Sequence, residues 1–230
     1  MSRSTLRPDA LPGGRRPAKG GDTPAMARAK KAAEEAPAHK GAGEVRIIGG
    51  LWKRTRLPVA RRPGLRPTPD RVRETLFNWL GQDLSGWRCL DAFAGTGALG
   101  FEAASRGAAA VQLVESDAAL VAQLEGLRQR LQADAVRVQR GDGLSALQQA
   151  APGSLHLVLL DPPFDSDVFG KALRAAAHAV ASEGLVYLEA PRAWTDDDLA
   201  ACGLVLHRHL KAGAVHAHLL RRAPADDLPS

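Results

Sequence analysis

Four acidic residues, each placed at or just after the end of a strand-like run, are where this sequence could do chemistry. Asp161-Pro162-Pro163-Phe164 follows the run Leu157 to Leu160. Two consecutive prolines stiffen the backbone and remove two N–H donors, so the stretch offers acceptors only. The Asp161 carboxylate and the Pro162 carbonyl can point into one pocket and accept both hydrogens of an amine. The nitrogen lone pair is then turned toward an electrophile. Phe164 adds a flat face on which a base can stack. Upstream, Asp91-Ala92-Phe93-Ala94-Gly95-Thr96-Gly97-Ala98-Leu99-Gly100 sets a carboxylate ahead of a glycine-rich turn. Gly95 and Gly97 let the backbone approach a ligand at a helix N-terminus. Gly95-x-Gly97-x-x-Gly100 with Glu115 downstream also fits a dinucleotide fingerprint. Asp91, however, is an awkward neighbour for a pyrophosphate and suits a ligand with a positive amino group and a sulfonium centre. Glu115 suits a pair of ribose hydroxyls. Asp142, between Gly141 and Gly143, suits an adenine amino group, whereas Asp117 reads as a helix N-cap.

These acids need a scaffold that brings strand ends together. From Trp87 onward apolar strand patterns at 88–92, 110–115, 135–139 and 155–160 alternate with helical patterns at 98–106, 117–131 and 143–150. Then come a helix at 167–181, a strand at 184–189, a short helix at 195–201 and strands at 204–210 and 214–221. Alternation predicts right-handed crossovers and an α/β, Rossmann-like, mostly parallel sheet covered on both faces. The short link Lys211-Ala212-Gly213 makes the last two strands a hairpin, so the final strand is antiparallel. Ligands of such sheets sit at the carboxyl ends of the strands. Before this body, Arg46 to Arg54 and Arg56 to Val59 read as two strands broken by Gly49-Gly50. Thr68-Pro69-Asp70 reads as a helix start with Thr68 as N-cap. That helix runs to about Leu80, with Val72, Leu76 and Leu80 on one face.

Charge is unevenly spread along the 230 residues, whose formal net charge is +6. Residues 1–43 hold nine Lys/Arg against four Asp/Glu, and residues 44–75 hold nine against three; the remainder is acidic overall. A basic segment beside an acidic body fits attachment to a polyanion. Residues 1–43 have almost no large apolar side chains and read as a disordered tail. Met26 offers an alternative start. Two cysteines, Cys89 and Cys202, make neither a disulfide framework nor a metal cluster. No apolar run is long enough to cross a bilayer, and no secretory signal is visible. A cytoplasmic, monomeric protein is expected.

At these motifs the stretch from Arg46 to about Arg222 resembles the RsmD family of guanine-N2 methyltransferases of small-subunit ribosomal RNA. The shared blocks are Arg46-Ile47-Ile48-Gly49-Gly50, Leu65-Arg66-Pro67-Thr68, Asp70 to Leu80, Asp91 to Gly100 and Asp161 to Phe164. One departure is the last hairpin, where His216 and His218 replace aromatic or aliphatic residues and put edge-strand packing in question. The resemblance implies a class I methyltransferase fold and S-adenosyl-L-methionine as cofactor. It implies a guanine of 16S ribosomal RNA, on an assembled or assembling small subunit, as acceptor. On this reading Asp161, Pro162, Pro163 and Phe164 are catalytic. Asp91, Phe93, Gly95, Gly97, Glu115 and Asp142 bind the cofactor. Arg46, Lys53, Arg54, Arg56, Arg66, Arg71 and Arg73 hold RNA phosphates, and no metal is needed. The chain divides into a tail (1–43), an RNA-binding hairpin and helix (44–82), a methyltransferase domain (83–223) and a C-terminal tail (224–230). Three other readings fit parts of the sequence: an adenine-N6 methyltransferase, a nicotinamide dehydrogenase, and a non-catalytic RNA-binding assembly factor on the same fold.

Overall fold

The computed structural model describes residues 43–59, 68–164 and 166–224. The expected tail, the loop carrying Arg66, and nearly all of the C-terminal tail lie outside the described residues. Seven strands form one sheet: β3 (Arg88–Asp91), β4 (Ala110–Glu115), β5 (Val136–Arg140), β6 (Leu155–Leu160), β7 (Val180–Ala190), β8 (Leu204–Ala212) and β9 (Val215–Arg222). Their order is β5-β4-β3-β6-β7-β9-β8. Helices α2 (Ala98–Ser105), α3 (Ala118–Leu131), α4 (Gly143–Gln149), α5 (Phe169–Ala179) and α6 (Asp196–Ala200) follow β3, β4, β5, β6 and β7. Strand order reverses between β3 and β6, so their carboxyl ends frame the crevice where ligands of such sheets bind. Among the described residues no helix is long and apolar enough to cross a membrane.

The crossover elements lie close to their predicted spans because both faces of the sheet are buried. Continuous apolar strands such as Leu157-Val158-Leu159-Leu160, each wholly buried, admit little ambiguity. The C-terminal hairpin is a different matter. β9 is antiparallel to both β7 and β8 and lies between them, so β8 is the edge strand. The histidine departure therefore falls on an interior strand. His218 is fully buried, and its Nε2 accepts from the Trp194 N–H (3.2 Å). Burial, with His209 beside it, pushes its pKa down to about 4, which keeps the ring neutral.

The N-terminal segment departs further from expectation. Its strands are only β1 (Glu44–Arg46) and β2 (Arg56–Pro58), paired antiparallel. Residues 49–54 form a turn that docks on α2 instead of extending the ladder. The Ile48 and Gly49 N–H groups donate to the Glu102 carboxylate (2.7 and 2.8 Å). Leu51 N–H donates to the Ser105 carbonyl (2.7 Å). Gly50 has φ +73°, and a Cβ there would overlap the Ser105 carbonyl, so a glycine is required. Helix α1 (Asp70–Trp79) buries Val72, Leu76 and Phe77. Thr68 does not cap it: Pro69 holds the cap position without a side-chain bond. Val45, Ile47, Trp52, Leu57, Leu76 and Phe77 join one core cluster with Phe101, Leu113 and Leu124. The extension is thus packed onto the sheet as part of one core, not set beside it as a separate unit.

Candidate active site

Ladder registers align the acids. Asp91 pairs with Leu159 across β3 and β6, and Leu160 pairs with Leu188 across β6 and β7. Asp91 ends β3, Asp161 directly follows β6 and Glu189 is the penultimate residue of β7, so the three stand at adjacent strand ends, with Glu115 ending β4 on the other side. Asp91 is buried, and its Oδ2 accepts from the Gly100 N–H (3.0 Å). Its Oδ1 is buried with no hydrogen-bond partner. Burial, reinforced by Glu115 and Glu189, pushes its carboxyl up to about 7. A Cβ on Gly100 would displace the Leu113 side chain and crowd Asp91 Oδ2.

The turn after β3 is held open by its neighbours. Gly95 N–H donates to Glu115 Oε2 (2.9 Å), while Glu115 Oε1 accepts from the Asp117 N–H (2.8 Å). Asp117 caps α3 as expected, accepting from Ala119 and Leu120. Gly97 sits at the start of α2 with φ +77°. Asp142 caps α4, with the Ser145 N–H (2.8 Å) and hydroxyl (2.7 Å) both on Oδ2. The Ser145 bonds hold this carboxyl below its ordinary pKa. A Cβ on Gly143 would collide with the Ala92 carbonyl and approach Phe93. That close fit brings Asp142 up to the β3 turn.

Asp161 is partly exposed at the rim, but burial of its carboxyl, then Glu189 and Asp91, raise its pKa well above the carboxylate range. Pro162 is buried and Pro163 exposed. The Pro163 carbonyl accepts from the Ser166 N–H (3.1 Å) and hydroxyl (2.6 Å), which fixes the far side of the loop. Phe164 is 40% exposed, the most exposed aromatic ring among the large apolar side chains. A base stacking on it would cover apolar surface that water now touches.

The basic residues divide. Arg46, Lys53, Arg54, Arg56 and Arg71 are exposed, with Arg46 near Asp70 (3.6 Å) and Arg56 on Glu44 (3.0 Å). Arg73 is not a phosphate ligand. Its side chain is fully buried, bonded to Asp70 (2.6 Å), to the carbonyls of Thr68 (3.2 Å) and Arg46 (2.8 Å), and 3.6 Å from Glu102. Its charge holds the extension together.

Glu189 escaped the sequence reading. It is buried, and its Oε1 accepts from the Tyr187 hydroxyl (2.9 Å). The Thr68 hydroxyl and Arg73 lie close enough to favour its charged form. The signal was available: the strand expected at 184–189 ends on an acid, as the other site strands do.

Comparison with known proteins agrees with this geometry. The model of the family described as conserved hypothetical protein 95 matches residues 45–221. The chain is 41% identical to ribosomal RNA small subunit methyltransferase D of Escherichia coli (strain K12) over 198 residues, covering 81% of this chain and 94% of that one. It is 39% identical to the protein of the same name from Haemophilus influenzae over 181 residues, covering 72% and 93%. Among solved structures, a putative methyltransferase from Escherichia coli superposes with TM-score 0.68 at 41% identity, covering 79% of this chain and 99% of that one.

Proposed function

The chain belongs to the conserved hypothetical protein 95 family, that of the ribosomal RNA small subunit methyltransferases D, and from that membership we propose that it methylates the N2 amine of a guanine in small-subunit ribosomal RNA, using S-adenosylmethionine. The observation that carries this reading is a buried, unpartnered Asp91 oxygen on the same sheet edge as an Asp-Pro-Pro-Phe loop whose two prolines lack N–H donors. A partnerless buried carboxylate oxygen is costly and fits a cationic group of a ligand.

The site residues fit the cofactor. Asp91 would hold its amino group, the Gly95–Gly97 backbone and Phe93 its body, Glu115 its ribose hydroxyls and Asp142 its adenine. When bound, it supplies a methyl group on a positively charged sulfur. The chain supplies positioning. A guanine turned out of its stack lies on Phe164, and its N2 hydrogens are accepted by Asp161 and the Pro162 carbonyl. The methylated nitrogen is acidic, and its proton leaves to Asp161 or to water.

Transfer of radiolabel from S-adenosylmethionine tests the reading. Acceptors are undermethylated small subunits, their naked RNA and duplex DNA, with nucleoside analysis of the product. We expect N2-methylguanosine from the subunits. Label only in N6-methyladenine, or no label on any acceptor, sinks it.

A further inference from the structure

Among the described residues, Glu189 is the one buried acid at this edge that the reaction as described leaves unused. It is 3% exposed. Tyr187, two residues earlier on β7, donates to its Oε1 (2.9 Å). Thr68, in the segment that leads into α1, brings its hydroxyl close enough to favour the charged form of Glu189. Arg73, on α1 itself, supplies a buried positive charge. Beside Glu189 lies Asp161, since the β6–β7 register carries Leu160 opposite Leu188 and sets the next residues on adjoining strand ends.

Such an arrangement is expensive if it is only structural. A buried carboxyl beside a second carboxyl disfavours ionising both, and a well-packed amide would avoid the cost. What the second acid contributes is basicity. A carboxylate of ordinary pKa is a weak acceptor for the amine hydrogens and a poor recipient of their proton near neutral pH.

We propose that Glu189 is a positioning residue for the transfer reaction: clamped by Tyr187, Thr68 and Arg73, it keeps Asp161 a strong acceptor toward the substrate amine and ties that role to the seating of the N-terminal segment. This rests on the amine-methylation reading above. In the step it assists, the N2–carbon bond forms as the carbon–sulfur bond breaks, with the electron pair going to sulfur. The nitrogen then gives one proton to Asp161, which passes it to water. The groups acting on Asp161 are Asp91 from β3 and Glu189 from β7, with Tyr187 hydrogen-bonded to Glu189; Arg73 acts through Glu189 and Glu115 through Asp91. The Asp161 carboxyl sits well above the ordinary range, consistent with this placement.

Glu189→Gln keeps the shape and an acceptor for Tyr187 while removing the charge. In the full chain we expect the acid limb of the kcat profile to move down by about one pH unit. At the plateau kcat should fall about tenfold with KM for S-adenosylmethionine unchanged. A carboxyl ¹³C titration of the protein without cofactor, with Asp161 assigned by difference against Asp161→Asn, should show the same downward move. Glu189→Asp, which keeps the charge, should leave the limb near its wild-type position. Thr68→Val tests the link to the N-terminal segment and should cost roughly fivefold in kcat, the worth of one hydrogen bond. An unmoved acid limb and an unmoved Asp161 titration in a Glu189→Gln protein that melts near wild type overturn the role. Wild-type kcat in Thr68→Val overturns the link. Absence of transfer by the wild type to every RNA acceptor sinks the functional reading itself, a failure distinct from these.

Discussion

At the scale of the residue, the proposed function assigns Asp161 and Asp91 different work, so they should fail differently. Asp161→Ala removes an acceptor for the amine and should lower kcat by at least about a hundredfold. Cofactor affinity, measured by calorimetry, should hold, because Asp161 is assigned to the amine and not to the cofactor. Asp91 should instead make cofactor binding depend on pH. Its folded carboxyl sits at about 7, above the ordinary 3.8, so it is largely protonated at pH 6 and ionised at pH 8. An ammonium binds the ionised form, so affinity should rise as pH rises through 7, with proton release below it. Titration at pH 6 and pH 8 in buffers of different ionisation enthalpy reads both; equal affinity at the two values contradicts the assignment. Asp91 and Asp161 were legible because each stands beside residues with no other use for that pattern, the glycine turn and the paired prolines. Glu189 carried only the weaker signal of an acid at a strand end, because no such neighbour marks it: Ala190-Pro191 looks like any strand exit. Arg73 misled for the converse reason. Charge can be read from letters, but burial cannot, and Arg73 lies on the helix face that also carries Leu76 and Phe77.

At the scale of the element, the N-terminal extension is joined to α2 by charge as well as by apolar contact. Glu102 is buried between Arg73 (3.6 Å) and Arg106 (2.8 Å) and also accepts two backbone N–H bonds. Arg106 in turn lies over the Phe77 ring (4.7 Å) and bonds Gln82. Removing one partner strands a buried charge, so Arg73→Ala should destabilise by about 3 kcal/mol in urea unfolding. Lys53→Ala, on the exposed turn, should change stability by less than about 0.5 kcal/mol. It should instead reduce the slope of log affinity for RNA against log salt by about 1. If the two variants behave alike, the division between structural and phosphate-facing cations is wrong. Period-based reading located the crossover helices well, since helical and strand periods differ sharply. It misjudged Ile47 to Lys53 because the backbone groups of Ile48, Gly49 and Leu51 find their partners on α2, 53 or more residues away. Tertiary hydrogen bonding decided that segment, and no local pattern records it.

At the scale of the whole molecule, charge and chemistry are kept apart along the chain. All of the net positive charge resides in the first 75 residues, while the sheet carries an acidic site that would repel phosphates. On the proposed function, the cations of this N-terminal stretch would hold the RNA while one base reaches the acids. Deleting residues 1–42 should leave kcat and thermal unfolding nearly unchanged but raise KM for RNA about tenfold at physiological salt. Unchanged KM across a salt series would show that those cations take no part. Strand order was the least legible feature at this scale: the link after β8 announces a hairpin but not which of its strands meets β7. The observed order has a biosynthetic consequence. β9 follows every other strand in the described chain, yet it occupies an interior lane of the sheet, hydrogen-bonded on both sides. A chain emerging from a ribosome therefore shows an open β7 edge until β9 arrives, and Glu189 lies on that edge. The ladder that holds the Glu189 strand end on its second side is complete only when the chain has been made through Arg222. A prematurely terminated chain would be an unpaired strand edge exposed to proteolysis and aggregation rather than a slow enzyme.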